Sequence, residues 1–206
     1  MVLSTYLVKL FDHLPAKYIK PVKHIWLTST TTGLIAQDLG KRNRIDDRDD
    51  LFVGGLIHDI GSLLFLNVLQ IEYLKLMEYS AKSFIPMSRL EIEEYGVHHG
   101  HLGGWLAREW NLPYKYHLAA RYHIDPESCS KHHRYVNLIH DAARITKQGV
   151  VDQWGETETP FQYTNENHLA QMRILPSIQD LPELEHLFTH EQDRAKEFIS
   201  HIRGNA

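Results

Sequence analysis

An ionisable pair interrupts one of the most apolar stretches of the chain, LFVGGLIHDIGSLLFL at residues 51–66. Burying His58 and Asp59 there without partners would cost several kcal/mol. An imidazole beside a carboxylate is a donor set that suits Mn, Fe, Zn, Co or Mg, depending on the other ligands. A buried histidine and aspartate can also satisfy one another as a purely structural pair. The dipeptide alone leaves both interpretations open.

Three more residues could complete a metal site with this pair: His99 in HHGHLGGWLAREW, His123 in AARYHID and Asp141 in NLIHDAARI. Each lies on a separate predicted helix, beside core-forming residues. We expect His99 to face inward. The flanking His98 and His101 cannot share its face, because residues one or two positions apart on a helix point in different directions.

Helices are the predicted elements that carry these residues. Leu102, Trp105, Leu106 and Trp110 recur at helical spacing, which predicts a helix with both tryptophans in the core. The next helix is expected over residues 113–123, with Pro113 at its first position.

Further helices follow from caps and apolar stripes. The letters SRLE at residues 88–91 match a capping box, and Gly96 ends the helix that this box would start. Aspartates at residues 46–50 suit the start of the helix that carries His58. Other stripes are Leu66, Leu69, Tyr73, Leu74 and Met77, and Val136, Ile139 and Ala143.

We therefore expect an all-α fold, a single domain of stacked, non-parallel helices. No segment alternates for long enough to predict a strand. Residues 1–150 would form the body of the domain. Residues 151–206 would form a C-terminal helical extension packed on it, after a loop at 150–160 and ending in an amphipathic segment at 183–202.

The composition narrows the class of partner. The chain has 206 residues, a formal net charge of −4 and a single cysteine. The basic letters GKRNR at 40–44 precede acidic DDRDD, so we interpret them as a solvated loop and expect no nucleic-acid binding. One cysteine fits a reducing compartment, and polar residues interrupt the apolar run at 51–69, so we expect a cytoplasmic protein that does not span a membrane.

Three stretches together resemble the HDOD domain family, the HD-related output domains of bacterial signalling proteins. They are FVGGLIHDIGSLLFL, HHGHLGGWLAREWNLPYKYHLAARYH and YVNLIHDAARITKQG, in the family's order. The resemblance covers roughly residues 20–150 and implies an HD-domain-like helical bundle. Because only about 20 residues precede it, we expect the N-terminal helical segment usual in this family to be missing or reduced.

The resemblance implies a divalent metal held by His58, Asp59, His99, His123 and Asp141, with Asp59 as the catalytic residue. Two departures argue against activity. In IWLTSTTTGLIA, Thr28 stands where active HD proteins carry their first histidine ligand, so metal occupancy should be weak. In HDIGS, Ser62 replaces a lysine common in active relatives.

A compensating ligand can be considered for the missing histidine. His24 lies four residues before Thr28 and shares its helix face, so it could reach a metal displaced by one turn. We favour a helix-surface position for His24 instead, because Lys20 and Lys23 lie beside it.

Two functions follow from the resemblance. The favoured one is a signal-transduction module with a degenerate HD site, whose partner is a signalling protein or a small phosphorylated ligand. The alternative is a metal-dependent phosphohydrolase acting on a nucleotide or phosphomonoester. A metal-binding sensor without turnover is a third option.

Overall fold

The structure is a computed structural model that describes residues 15–83, 85–130, 133–149 and 181–204. Within these ranges it contains helices and connecting turns but no strand, which confirms the all-α fold. The helices are α1 (Ile19–Arg42), α2 (Arg48–Ile57), α3 (Ile60–Leu69), α4 (Ile71–Ser83), α5 (Met87–Tyr95), α6 (His99–Glu109), α7 (Tyr114–Tyr122), α8 (His133–Gly149) and α9 (Leu181–Gly204).

Helix α1 is the centre of the bundle, since α2, α8 and α9 all pack against it. Small residues make the crossing with α2 very close. A Cβ added to Gly55 would lie 2.5 Å from the Cα of Gly33, so a larger side chain would force the two helices apart. This close crossing holds the His58-Asp59 pair near α1.

The His58-Asp59 pair lies at a break between two helices. His58 is the C-cap of α2 and Asp59 the N-cap of α3, so the break falls at the pair itself. Gly61 lies two residues after the pair, on α3. A Cβ there would lie 1.9 Å from the carbonyl oxygen of His99, so glycine lets the start of α6 approach α3.

Two predictions about α1 and α3 need correction. The apolar stripe from Leu66 to Met77 does not belong to one helix, because Gln70 adopts a φ of 47° and separates α3 from α4. The basic segment at 40–44 is only partly a loop, because α1 continues to Arg42. The Arg42 guanidinium pairs with Asp38 on the same helix, at 2.5 Å, and with Glu183 of α9.

The prediction that Trp105 and Trp110 are core residues was wrong. They are 51% and 38% exposed. Helix α6 buries its glycine-rich face, which includes Gly103 and Gly104, against α3 and α7. Glycine allows the helices to approach closely, so the face with the smallest side chains is buried and the tryptophans point outward.

The C-terminal helix α9 packs on α1 and α8. Its Leu187 and Phe188 join the main hydrophobic core, and Ala195 is fully buried. The loop expected at 150–160 lies outside the described residues, and the proposed boundary at residue 150 stays a prediction.

Among the described residues, one segment, Arg48–Leu69, has the length and hydropathy of a membrane span. However, 67% of its most apolar 18-residue window is buried inside the protein.

Candidate functional site

A cavity of about 140 Å³ opens beside the His58-Asp59 pair. Helices α1, α3, α4, α5, α6 and α8 and the α2–α3 break contribute to its wall. The lining residues are His24, Ile25, Thr28, Thr32, His58, Asp59, Ser62, Tyr73, Met77, Met87, His99, Ala143, Thr146 and Lys147.

Three buried histidines are held in one common manner. The Nδ1 atom of His58 lies 2.6 Å from the carbonyl oxygen of Gly55, and that of His123 lies 3.0 Å from the carbonyl oxygen of Ala120. A carbonyl oxygen only accepts, so each Nδ1 must carry the proton. His99 Nδ1 lies 2.6 Å from a carboxylate oxygen of Glu91 and donates to it. Each ring is therefore oriented through Nδ1, which leaves Nε2 for other interactions.

The same three rings lie close together. The ring centroids of His58 and His123 are 4.8 Å apart, and those of His99 and His123 are 5.3 Å apart. His99 Nε2 lies 3.7 Å from Asp59 Oδ1. His99 is 2% exposed, which confirms that it faces inward. Four of the five residues expected to converge are thus neighbours.

The two histidines beside His99 have a structural role. His98 Nδ1 accepts a hydrogen bond from the backbone N–H of Gly100, while His101 Nδ1 accepts one from the backbone N–H of His98. They form a reciprocal cap at the start of α6. Because each of these Nδ1 atoms accepts, the proton of the neutral ring lies on Nε2, unlike in His58, His99 and His123. His98 and His101 therefore position His99 instead of joining it.

Glu91 is the site residue that the sequence analysis misjudged. It was expected to cap its own helix, but the N-cap of α5 is Pro86 and makes no side-chain cap. The Glu91 side chain is fully buried and accepts from the Tyr73 hydroxyl at 2.6 Å and from the backbone N–H of His99 at 2.9 Å, in addition to His99 Nδ1. Glu91 therefore fixes both the start of α6 and the orientation of the His99 ring.

The Asp59 carboxylate is held by its neighbours. The Ser62 hydroxyl, one turn ahead on α3, donates to Asp59 Oδ1. Burial alone would raise the pKa of Asp59, but the nearby His99, His58 and Lys147 outweigh it and lower the pKa. The carboxylate is therefore the ionised form at neutral pH.

Burial favours the neutral form of the imidazoles and therefore lowers their pKa values. It lowers the pKa of His58 to about 4 and the pKa of His123 well below its usual value. Both rings are therefore neutral at pH 7, the form in which histidine binds metals.

Thr28 and His24 both face this cavity. The Thr28 hydroxyl lies 3.0 Å from the carbonyl oxygen of His24 and 2.9 Å from that of Ile25, so it donates within its own helix. His24 is half-buried and lines the cavity, so the favoured helix-surface position was wrong.

Asp141 does not line the cavity. The lining residues of α8 are Ala143, Thr146 and Lys147. Asp141 precedes Ala143 by two residues, which is about 200° around a helix, so its side chain leaves α8 on another face. Its Oδ2 atom is buried with no hydrogen-bond partner in the described part of the chain. Burial raises the pKa of this carboxyl to about 6.

Lys147 was not identified from the sequence. It lies one turn after Ala143, and its charge lowers the pKa values of Asp59, His58 and His123. Its i, i+4 spacing from Ala143 places both residues on one face of α8. The sequence alone does not show that this face is the one that lines the cavity.

A divalent metal would need several of these side chains to reach one point. His99 Nε2 and His123 Nε2 are buried and have no hydrogen-bond partner among the described residues, so their chemistry is suitable. However, no three histidine, cysteine, aspartate or glutamate side chains in the described ranges are arranged to hold one ion. As arranged, the residues do not fit a metal, and the predicted ligand set stays a prediction.

Comparisons with known proteins agree with this fold. An uncharacterized protein of Treponema pallidum (strain Nichols) is 26% identical over 155 residues, which cover 74% of this chain and 29% of that protein. A crystal structure of a "Putative phosphohydrolase" from Shewanella amazonensis SB2B matches with a TM-score of 0.60 and 22% identity, covering 82% of this chain and 61% of that one.

A second solved structure, an HDOD domain protein with unknown function from Geobacter sulfurreducens, also has a TM-score of 0.60 and 22% identity. The match covers 87% of this chain and 60% of that one. The chain thus spans less than a third of the Treponema protein and about three fifths of the two solved chains.

The family model of the HDOD domain matches residues 1–126, which begins and ends earlier than the range expected from the motifs. This match covers more than half of the sequence and contains the His58-Asp59 break, the Glu91–His99 contact and His123. The chain belongs to the HDOD domain family.

Proposed function

We propose that this chain is a regulatory module of bacterial signal transduction that keeps the HD scaffold without hydrolysing a phosphate ester. The observation that carries the proposal is the position of Thr28. It faces the cavity where the resemblance places a histidine ligand, and its hydroxyl donates to its own helix. At this position the first core helix supplies a hydroxyl in place of an imidazole, although His24, one turn earlier, lines the same cavity. In this proposal the HD site is degenerate.

The size of the cavity supports the same function. Sites that enclose a drug-sized ligand usually measure about 300–1,000 Å³. The cavity beside the His58-Asp59 pair measures about 140 Å³, which is below this range. In this proposal the module responds to a signalling protein or to a small phosphorylated ligand, in the cytoplasm, without nucleic acid or membrane.

The test compares the wild type with Thr28→His and Thr28→Gln. Each protein is purified without a His-tag, its Mn and Fe content is measured, and nitrophenyl phosphate turnover is assayed with added Mn²⁺. We expect little metal and no turnover in the wild type, more metal in Thr28→His, and no gain in Thr28→Gln, which adds a polar side chain without an imidazole. Robust wild-type turnover that His58→Ala abolishes would refute the regulatory function.

The alternative, a metal-dependent phosphohydrolase acting on a nucleotide or phosphomonoester, is supported by a separate observation. His58, His99 and His123 are all anchored through Nδ1, and this is the arrangement that orients imidazoles for metal binding through Nε2. In this alternative Asp59 is the catalytic carboxylate. The turnover assay separates the two functions.

A further inference from the structure

The cavity wall contains an ammonium group as well as the site residues. Ala143, Thr146 and Lys147 of α8 lie at helical spacing i, i+3 and i+4, so one face of this helix lines the cavity. Among the described lining residues, Lys147 carries the only ammonium and Asp59 the only carboxylate.

The position of Lys147 gives its charge access to the whole site. Its charge acts on Asp59, His58 and His123 together. No carboxylate in the described ranges, Asp59 included, forms an ion pair with Lys147. Its charge therefore acts on the Asp59 carboxylate from beyond direct contact and is not neutralised by another described carboxylate.

A cation in this position has two electrostatic consequences. It stabilises the ionised Asp59 carboxylate, which a bound metal would otherwise do. It also repels any divalent ion that enters the cavity, although water weakens this repulsion because Lys147 is exposed.

We propose that the Lys147 ammonium is the resident cation of this site, which balances Asp59 and keeps divalent metals out. This inference rests on the proposed function, because it explains how a degenerate HD site stays stable without a metal. It assigns to Lys147 a role in metal exclusion.

The experiment is a calorimetric titration of Mn²⁺ into the full-length, untagged protein. Lys147→Met removes the charge and keeps most of the apolar side chain. Lys75→Met is the matched control, because Lys75 is exposed on α4, between the lining residues Tyr73 and Met77 but absent from the cavity wall. Lys147→Arg keeps the charge.

We expect Lys147→Met to bind Mn²⁺ about tenfold more tightly than the wild type, or better, as removal of one unit charge near a divalent ion predicts. Lys75→Met and Lys147→Arg should bind like the wild type. The gain should disappear in Lys147→Met/Asp59→Asn, which would locate the added affinity at this site and not at surface histidines.

Equal Mn²⁺ affinity in the wild type and Lys147→Met, or no binding to either, would overturn the role of Lys147. A separate measurement tests the proposed function: it would be refuted if the wild type hydrolysed a phosphate ester. Turnover without any effect of Lys147→Met on Mn²⁺ affinity would overturn both proposals.

Discussion

Replacing Glu91 with alanine should destabilise the fold strongly, because one buried carboxylate accepts three hydrogen bonds. The donors are the Tyr73 hydroxyl, the backbone N–H of His99 and His99 Nδ1, and all three are buried. A buried donor left without a partner costs about 1–3 kcal/mol. Some relaxation and water entry will offset part of this cost, so we expect a loss of about 3–5 kcal/mol in the free energy of unfolding.

Glu93→Ala is the matched control on the same helix. Glu93 lies two residues further along α5, its side chain is 56% exposed, and it pairs only with Arg89 at 2.8 Å within the described residues. Exposed ion pairs of this kind contribute about 0–1 kcal/mol. The measurement is urea unfolding of both variants, followed by circular dichroism at pH 7.

A third variant, Glu91→Gln, tests the hydrogen bonds directly. Glutamine keeps the shape of the side chain, but it replaces one acceptor oxygen with an NH₂ group that faces existing donors. It should therefore lose about 2–3 kcal/mol although no cavity is created. If Glu91→Ala costs no more than Glu93→Ala, the carboxylate is not what holds His99, and the interpretation of this site is wrong.

The remaining predictions concern the other buried ionisable groups. Asp59→Ala should cost about 1–3 kcal/mol, since the Ser62 hydroxyl loses its acceptor; an unchanged thermal melt would show that the carboxylate is idle. Asp141→Asn should stabilise the protein by about 1–3 kcal/mol at pH 7, because burial raises the pKa of this carboxyl to about 6, so the cost of its ionisation grows from about pH 4 and is fully present above about pH 6. That gain should vanish near pH 4, where the carboxyl is protonated, and a gain that persists there would contradict the cause. Burial lowers the pKa of His58 to about 4, below its value in the unfolded chain, so the unfolded state binds more protons between pH 4 and 6.5. Stability should therefore fall by about 3 kcal/mol as the pH drops through this window, and His58→Gln should flatten the pH profile measured by urea unfolding.

Helical spacing in the sequence was sufficient to predict the fold class and most helices of the described chain. Gly96 ends α5 with a φ of 74°, as its lack of a side chain allows. The inward position of His99 also followed from local geometry. These features depend on backbone and helix periodicity, which act over a few residues and can be read from the order of side chains.

Tertiary packing decided which side of each helix is buried. Trp105 was expected inside because the large apolar residues of α6 form a stripe, but close approach through Gly103 and Gly104 buried the opposite face. Local spacing cannot distinguish these cases, since both faces are apolar and the choice depends on the shape of α3 and α7.

The residues of the candidate site show the same difference between what the sequence predicted and what only the tertiary packing decided. The sequence by itself predicted that His58, Asp59, His99 and His123 converge, and the structure places them side by side. Their role as metal ligands stays a prediction. Only the tertiary structure gave Glu91 its role, since the three donors that justify burying its carboxylate come from α4 and α6. The position of Asp141 away from the cavity likewise depends on how α8 is rotated against its neighbours, which is settled by the packing of its apolar residues on α1 and α2.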